Sequence, residues 1–260
     1  MPSLSLQIRK PLSIRARFVA TLLGIAVLIL IWYILSYGGV ITPLFLPTPT
    51  DVVSSLLDLT IRGELIPALA TSFFRIWLAM LLTIVVGFVI GVLMGSIAGF
   101  DYFFEPFTQP MRYIPLTALL PLFILWFGIG TNMKVAFLFT GTVFYFIPLV
   151  RNAIRNVREE YVEVARDIGL SQWEITWKVL VWDALPQIWA GLIVCNGIGW
   201  TYVVLAELIN PDRGVGYMIS IAGRLQRTDE VLAYVLAIAL VALISDRALT
   251  ALGKKLFAWQ

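Results

Sequence analysis

The stretch IWLAMLLTIVVGFVIGVLMGSIA, residues 76–98, contains no charged side chain over 23 consecutive residues. As an α-helix that rises about 1.5 Å per residue, it is long enough to cross the roughly 30 Å hydrocarbon core of a bilayer. Gly87, Gly91, Gly95 and Gly99 recur every four residues along it. On a helix these glycines form one ridge, which either packs closely against a neighbouring helix or faces lipid. The stretch predicts a transmembrane helix, and we favour a packing role for the ridge.

The rest of the chain has the same apolar character. Of its 260 residues, 60% are hydrophobic and 13% are charged, whereas a soluble domain has roughly 25% charged residues. Histidine is absent and Cys195 is the only cysteine, which argues against catalysis by a histidine base or a zinc cluster. The net charge of +3 fits the basic cytoplasmic loops of membrane proteins better than a nucleic-acid-binding surface. The composition therefore predicts a membrane protein that is not an enzyme and binds no nucleic acid.

Apolar runs along the chain predict an all-α integral membrane fold with about six transmembrane helices. The predicted spans lie near residues 18–37, 76–98, 113–127, 135–150, 188–206 and 231–245. The first run could also be a signal peptide, because basic residues precede it, but no A-x-A cleavage site follows. The third and fourth runs are short and contain prolines. They form either two broken spans that line a pathway or a re-entrant hairpin.

Shorter segments are predicted between the spans. Residues 51–62 and 217–227 read as surface helices, and residues 101–112 as a polar connection. Pro186 is expected at the start of the fifth span, because the first turn of a helix tolerates proline. Thr228 is expected to cap the last helix, with two acids behind it in the first turn.

The distribution of basic residues predicts the orientation. Thirteen of the 19 Lys and Arg residues fall on one set of alternating loops, which includes residues 99–113 and 151–178. Cytoplasmic loops are enriched in Lys and Arg. Both termini, at 1–17 and 251–260, are therefore predicted in the cytoplasm, on either side of a transmembrane domain at 18–250.

The loop at 151–178 has a sequence pattern of its own. Apolar and charged residues recur at helical spacing, which predicts a short amphipathic helix at Glu159–Ile168. Its apolar side consists of Tyr161, Val164, Ala165 and Ile168, and its charged side of Glu160, Glu163, Arg166 and Asp167. Gly169 is expected to end this helix, and Ser171 with Glu174 matches a capping box that starts another. A helix that ends in a tight turn outside the membrane suits docking into a partner's groove.

Glu163, Val164 and Ala165, followed by Gly169, resemble the EAA loop of binding-protein-dependent ABC permeases, although alanine is usual where Val164 stands. The resemblance extends over almost the whole chain. Further similarity to the branch that imports nitrate, sulfonates, taurine and bicarbonate lies in Leu46-Pro47-x-Pro49, Leu125-Trp126-Phe127-Gly128, Ala206-Glu207 and Gly214-Val215-Gly216-Tyr217. Together these motifs are specific, whereas each alone is weak.

This resemblance implies the permease subunit of an importer in a bacterial plasma membrane, with a small oxyanion as solute. Such permeases pair with a second copy or a close homologue, and an external binding protein delivers the solute. Two cytoplasmic ATPases clamp the loop at 159–178, where Glu163, Ala165 and Gly169 would couple them to the permease. The chain contains no G-x-x-x-x-G-K-[ST] phosphate-binding loop. No cofactor is therefore expected in this chain, and ATP and Mg are expected on the partner ATPases.

One face of the fifth span is a candidate for the translocation pathway. Asn196, Trp200, Val203 and Glu207 recur at i, i+4, i+7 and i+11, so they share a stripe that faces either the pathway or neighbouring helices. Acids within spans also leave open an ion-coupled secondary transporter, for which Glu207 and Asp246 are the candidate groups.

Overall fold

The computed structural model describes residues 13–209 and 213–258, and these residues form helices and connections without any strand. The all-α prediction is confirmed. In chain order the helices are α1 (Ile14–Tyr37), α2 (Pro49–Ile61), α3 (Leu65–Ser96), α4 (Ala98–Met111), α5 (Leu120–Phe127), α6 (Thr131–Arg155), α7 (Glu159–Asp167), α8 (Gln172–Ile175), α9 (Val181–Ile209), α10 (Val215–Arg224) and α11 (Thr228–Leu256). A 3₁₀ turn at Leu116–Leu119 precedes α5, and a π-helical turn at Thr176–Leu180 joins α8 to α9.

Within the described ranges, five helices are long and apolar enough to cross a membrane. They are α1, α3, α6, the continuous helix Gln172–Leu208 and α11. A sixth crossing arises only if α4 is joined to the segment Leu116–Phe127, and the two are bent by 90°. The predicted number of about six is confirmed in this form, with the bent pair as a broken span or a re-entrant loop.

The third predicted span differs most from the structure. Residues 113–127 contain no helix long enough to cross, since α5 has only eight residues, or about 12 Å of rise. Residues 101–112, predicted as a connection, instead form most of α4, with Pro106 and Pro110 inside the helix. The charged residues made this segment resemble a loop. In the structure Asp101 and Glu105 pair with Arg151 on α6.

The fourth predicted span, 135–150, lies within α6, which has 25 residues and is a full crossing. The predicted span was too short at both ends, because charged residues were taken as its boundaries. Lys134 is completely buried in the helix. Arg151 lies 2.5 Å from Asp101 through its Nε atom. Paired or buried charges thus extend the helix beyond its apolar centre.

Other helix boundaries also differ from the predicted ones. Pro186 lies inside α9 rather than at its start, and the helix begins as far back as Gln172. Thr228 is the first residue of α11 and makes no capping hydrogen bond to it. The last helix continues to Leu256, so part of the predicted tail 251–260 is helical. The segments 1–12, 210–212 and 259–260, which include most of the predicted N-terminal segment, lie outside the described residues.

The glycine ridge of α3 packs against α6 at three of its four positions. A Cβ atom added to Gly91 would lie 2.6 Å from Cβ of Val150, and one added to Gly95 would lie 2.6 Å from Cβ of Ile154. Gly87 makes the corresponding approach to Phe146. Gly99 lies on α4 with open space around it. The packing role predicted for the ridge is therefore confirmed for the three glycines within α3.

Candidate functional site

The short helix predicted in the loop is α7, and it ends in a Schellman motif. The amide of Gly169 donates to the carbonyl of Arg166 at 2.9 Å, and the amide of Leu170 donates to that of Ala165 at 3.0 Å. These bonds require a left-handed residue at Gly169, whose φ is +83°. The helix predicted to end at Gly169 therefore does so for the expected reason.

The next helix begins immediately at a capping box. The amide of Glu174 donates to Oγ of Ser171 at 3.3 Å, and the amide of Ser171 donates to Oε2 of Glu174 at 3.1 Å. Lys178, one turn further on, lies 2.7 Å from Oε1 of Glu174. These contacts fix the start of the helix that continues through the π turn into α9, and Ile175 in its first turn packs against α7. The short helix α7 is therefore in direct contact with the start of a membrane-spanning helix.

The apolar side predicted for α7 is divided between two surfaces. Ala165 is 3% exposed and packs with Val162 against Ile175 at the start of the next helix. Three large residues point away from the chain instead: Tyr161, Val164 and Ile168 are 42%, 60% and 71% exposed. We call these three residues the α7 docking face. Apolar residues exposed together on one short helix indicate a protein-binding surface.

The three predicted coupling residues have different positions. Glu163 is exposed beside the docking face and forms no ion pair with any described residue. Gly169 is also exposed, at the end of the helix. Ala165 is buried and cannot touch a partner directly, so its contribution is to let α7 lie close to Ile175. Sequence reasoning missed Tyr161 and Ile168 as surface groups, because apolar residues at helical spacing usually face a core.

The predicted stripe on α9 faces the interior of the chain. Nδ2 of Asn196 and Nε1 of Trp200 each donate to Oγ of Ser245 on α11 at 3.0 Å. Val203 is fully buried, and so is Glu207. These contacts give the stripe a role in helix packing, the second of the two alternatives, while a role in lining a pathway stays a prediction.

Glu207 lies in a buried polar cluster at the end of the bundle opposite α7. Its carboxylate accepts from Nη1 of Arg75 at 2.7 Å, from Oγ of Ser72 at 2.8 Å and from the amide of Gly216 at 3.0 Å. The amide of Val215 donates in turn to Oγ of Ser72 at 3.0 Å. This cluster joins α3, α9 and the start of α10. A carboxylate held by so many donors is a structural anchor, which weakens the secondary-transporter alternative.

A different face of α9 is open. Exposed residues recur along it every three or four positions: Asp183, Gln187, Ala190, Val194, Gly197 and Thr201. The outward residues of α3, such as Leu81, Val85 and Val89, are large and apolar by comparison. Lipid favours large apolar side chains, and small or polar residues in spans typically face protein or water. The open face of α9 is therefore not an ordinary lipid surface.

Comparison with known proteins shows the family to which the chain is similar. The family model described as "Binding-protein-dependent transport system inner membrane component" matches residues 87–258. The taurine transport system permease protein TauC of Escherichia coli (strain K12) is 34% identical over 243 residues, 90% of this chain and 87% of that protein. The putative aliphatic sulfonates transport permease protein SsuC of Bacillus subtilis (strain 168) is 34% identical over 252 residues, 97% of this chain and 91% of that protein.

The fold is shared with a solved transporter of lower sequence similarity. The structure described as an amino acid ABC transporter with histidines superposes with a TM-score of 0.60 at 16% identity. The match covers 79% of this chain and 98% of that one. At this level of identity the similarity shows the fold alone.

Proposed function

This chain belongs to the family of binding-protein-dependent transport system inner membrane components, and from that premise we propose that it imports a small oxyanion, with a sulfonate such as taurine as first candidate. Members of this family are the permease subunits of ABC importers, so the chain is a transport subunit rather than an enzyme. The solute is supported by two relatives at 34% identity, which are named for taurine and for aliphatic sulfonates. Nitrate and bicarbonate belong to the same chemical class of small oxyanions.

The observation that carries the coupling role is the α7 docking face. Tyr161, Val164 and Ile168 project from a helix whose other side is fixed to the chain by Val162 and Ala165. A groove on an ATPase subunit would bury these apolar groups, while the free carboxylate of Glu163 would pair with a basic residue at its edge. Closure of two ATPase subunits would then pull both α7 helices together and tilt the attached spans.

The orientation follows from this role. ATPase subunits act in the cytoplasm, so the end of the bundle that carries α7 faces the cytoplasm, as do both termini. Glu207, Arg75 and α10 then lie near the external end. An external solute-binding protein would dock at that end and release the solute into the pathway.

The open face of α9 supports a dimeric assembly. Gln187, Gly197 and Thr201 leave small and polar groups exposed on the outside of one chain. Two copies, or this chain and a close homologue, would enclose a water-filled pathway if these faces were turned toward each other. We therefore propose that the pathway follows this face rather than the stripe from Asn196 to Glu207, which is covered by α11 and α3.

The solute is tested by uptake. Cells that lack their own sulfonate and nitrate importers would express the chain with its ATPase and binding protein, and receive labelled taurine, nitrate, bicarbonate or a small organic cation. We expect taurine or another sulfonate to accumulate in an ATP-dependent manner, and the cation to be excluded. Uptake of the cation alone would reject the proposed solute class, although not the membership of the family.

A further inference from the structure

The bend between α4 and the 3₁₀ turn lies beside the middle of α6 rather than at one of its ends. The hydroxyl of Tyr145 donates to the carbonyl of Arg112, which follows α4, at 3.5 Å. Tyr145 is 14 residues from the start of α6 and 10 from its end, or about 21 Å and 15 Å along the helix axis. Arg112 was assigned by sequence to a cytoplasmic loop. The structure instead places it beside the middle of α6, a helix long enough to cross a bilayer.

Arg112 has no carboxylate within ion-pair distance among the described residues. Its Nη2 atom donates to Oε1 of Gln109 at 2.6 Å, and its guanidinium lies 6.0 Å from the ring centre of the adjacent Tyr113. The Nε atom is buried and has no hydrogen-bond partner in the described part of the chain. A guanidinium presents donors in a planar fork that matches two oxygens of an oxyanion. Arg112 therefore has N–H groups that remain available to donate hydrogen bonds to an anion.

The acids on the same helix are already paired. Asp101 lies 2.5 Å from Arg151 and 2.6 Å from Arg155 on α6. Glu105 lies 3.3 Å from Arg151 and also accepts from Gln109 at 3.3 Å. These contacts form a row of polar side chains along α4, from the α7 end of the bundle to the bend. Because the two acids lie toward the α7 end and are neutralised there, the charge at the bend is the positive charge of Arg112.

Three hydroxyl-bearing side chains lie at the same position, among apolar side chains that form most of its lining. Arg112 lines a cavity of about 20 Å³ together with Tyr145 and Thr140 on α6 and Tyr202 on α9. This volume holds about one water molecule, so a larger anion can enter only when the bend moves away from α6 and α9. The hydroxyl of Tyr202 can donate a hydrogen bond to an anion beside the guanidinium, and that of Tyr145 can do so once the bend moves and its bond to the carbonyl of Arg112 opens. The cluster thus combines a positive charge with neutral donors in a closed state of the protein.

We propose that Arg112 is a transient binding site for the transported oxyanion, at which its guanidinium and the hydroxyls of Tyr145 and Tyr202 hold the anion midway across the bilayer. This inference rests on the proposed function, since it requires a solute with an anionic oxygen group, such as the sulfonate group of zwitterionic taurine. A charged residue at this depth is costly unless it is solvated by water, protein or solute. Passage of an oxyanion gives Arg112 a partner during transport, and Gln109 holds the side chain in place between transport cycles.

The test uses charge restoration in the complete transporter in liposomes, with its ATPase and binding protein. In a Cys195→Ala background, Arg112→Cys should lower sulfonate uptake at least ten-fold while the ATPase still co-purifies. A methanethiosulfonate reagent that attaches a trimethylammonium group should restore a substantial part of the uptake. The reagent of similar size that attaches a sulfonate group should not. Arg112→Lys, which keeps the charge but not the fork, should retain intermediate uptake.

Phe107→Cys provides the matched control, because Phe107 lies on the same helix and is 61% exposed. There the two reagents should have equal effects. Equal uptake after either reagent at position 112, or normal uptake by Arg112→Cys without any reagent, would overturn the site while leaving sulfonate import by the wild type intact. Loss of the ATPase from Arg112→Cys and Arg112→Lys alike would show that Arg112 serves assembly instead. Failure of the wild type to import any oxyanion would reject the proposed function, and this inference with it.

Discussion

Arg75 on α3 and Glu207 on α9 form an ion pair of 2.7 Å in which both side chains are buried. Removing one partner of a buried pair leaves a charge without full compensation, which costs about 3 to 5 kcal/mol. Glu207→Ala should therefore lower the free energy of unfolding by about that amount, measured by denaturation in mixed micelles. Glu160→Ala, which removes an exposed partner of Arg158, should change it by less than about 1 kcal/mol. Equal effects of the two changes would show that the cluster at Glu207 is not an anchor.

The turn at Gly169 should be essential for coupling rather than for folding. A Cβ atom added there would meet nothing within 4 Å, but φ is +83°, which costs a side chain about 1 to 2 kcal/mol. Gly169→Asp should leave the protein in the membrane while it abolishes uptake and weakens co-purification of the ATPase. Gly63 is a close match, with φ at +72° and equally open surroundings, at the other end of the bundle. Gly63→Asp should keep the ATPase bound, and loss of the ATPase from both variants would point to general strain.

Glu163 should contribute to ATPase binding through its charge. It is exposed and has no ion-pair partner among the described residues, whereas its neighbour Glu160 pairs with Arg158. Glu163→Ala should weaken the ATPase complex by about 1 to 3 kcal/mol if the contact is desolvated, measured by titration of purified ATPase onto permease in nanodiscs. Glu160→Ala should weaken it less. A larger loss with Glu160→Ala would mean that the basic groove contacts the other side of α7.

The open face of α9 should react with water-soluble thiol reagents when cysteine is placed on it. In a Cys195→Ala background, Gln187→Cys and Thr201→Cys should be modified faster than Val203→Cys, because their side chains are exposed whereas Val203 is fully buried. Mass spectrometry of the labelled transporter in liposomes measures the rates. Faster modification at Val203 and at Asn196→Cys would restore the predicted stripe as the lining of the pathway.

Close packing of α3 on α6 should make Gly91 intolerant of any side chain. In Gly91→Ala the new Cβ would lie 2.6 Å from Cβ of Val150 and 2.9 Å from the carbonyl oxygen of Ile147. Overpacking of this kind costs about 1 to 3 kcal/mol, which thermal unfolding in detergent would detect. Gly99→Ala, at a glycine with open surroundings, should be neutral or stabilising because alanine favours the helix. Equal melting temperatures for both variants would contradict the packing role.

The sequence predicted the number of crossings and the local structure of the loop at 151–178 well, because both depend on local patterns. An apolar run such as 76–98 implies a span whatever surrounds it. The turn at Gly169 and the capping box at Ser171 are likewise set by a few adjacent residues. Family resemblance then identified Glu163 and Gly169 as candidates without knowledge of their exposure.

The failures of prediction arise where charged residues pair across helices. Asp101 and Arg151 made α4 resemble a loop and shortened α6, since no local pattern shows that two distant charges meet. The stripe from Asn196 to Glu207 was identified correctly as one face of a helix. Whether this face points to the interior or to a pathway depends on the position of α11, which supplies Ser245. Helical periodicity alone does not show where a neighbouring helix lies.

The continuous helix Gln172–Leu208 has 37 residues, or about 55 Å of rise, and Ile175 in its first turn packs against Val162 and Ala165 on α7. A helix of this length can carry a movement of α7 to its far end. If it turned as one rod, a rotation of about 10° at the α7 end would displace the far end, where Glu207 lies, by roughly 10 Å. The π-helical turn at Thr176–Leu180 lies close to the fulcrum. Its stiffness would then set how much of a movement of α7 reaches the end of the helix that carries Glu207.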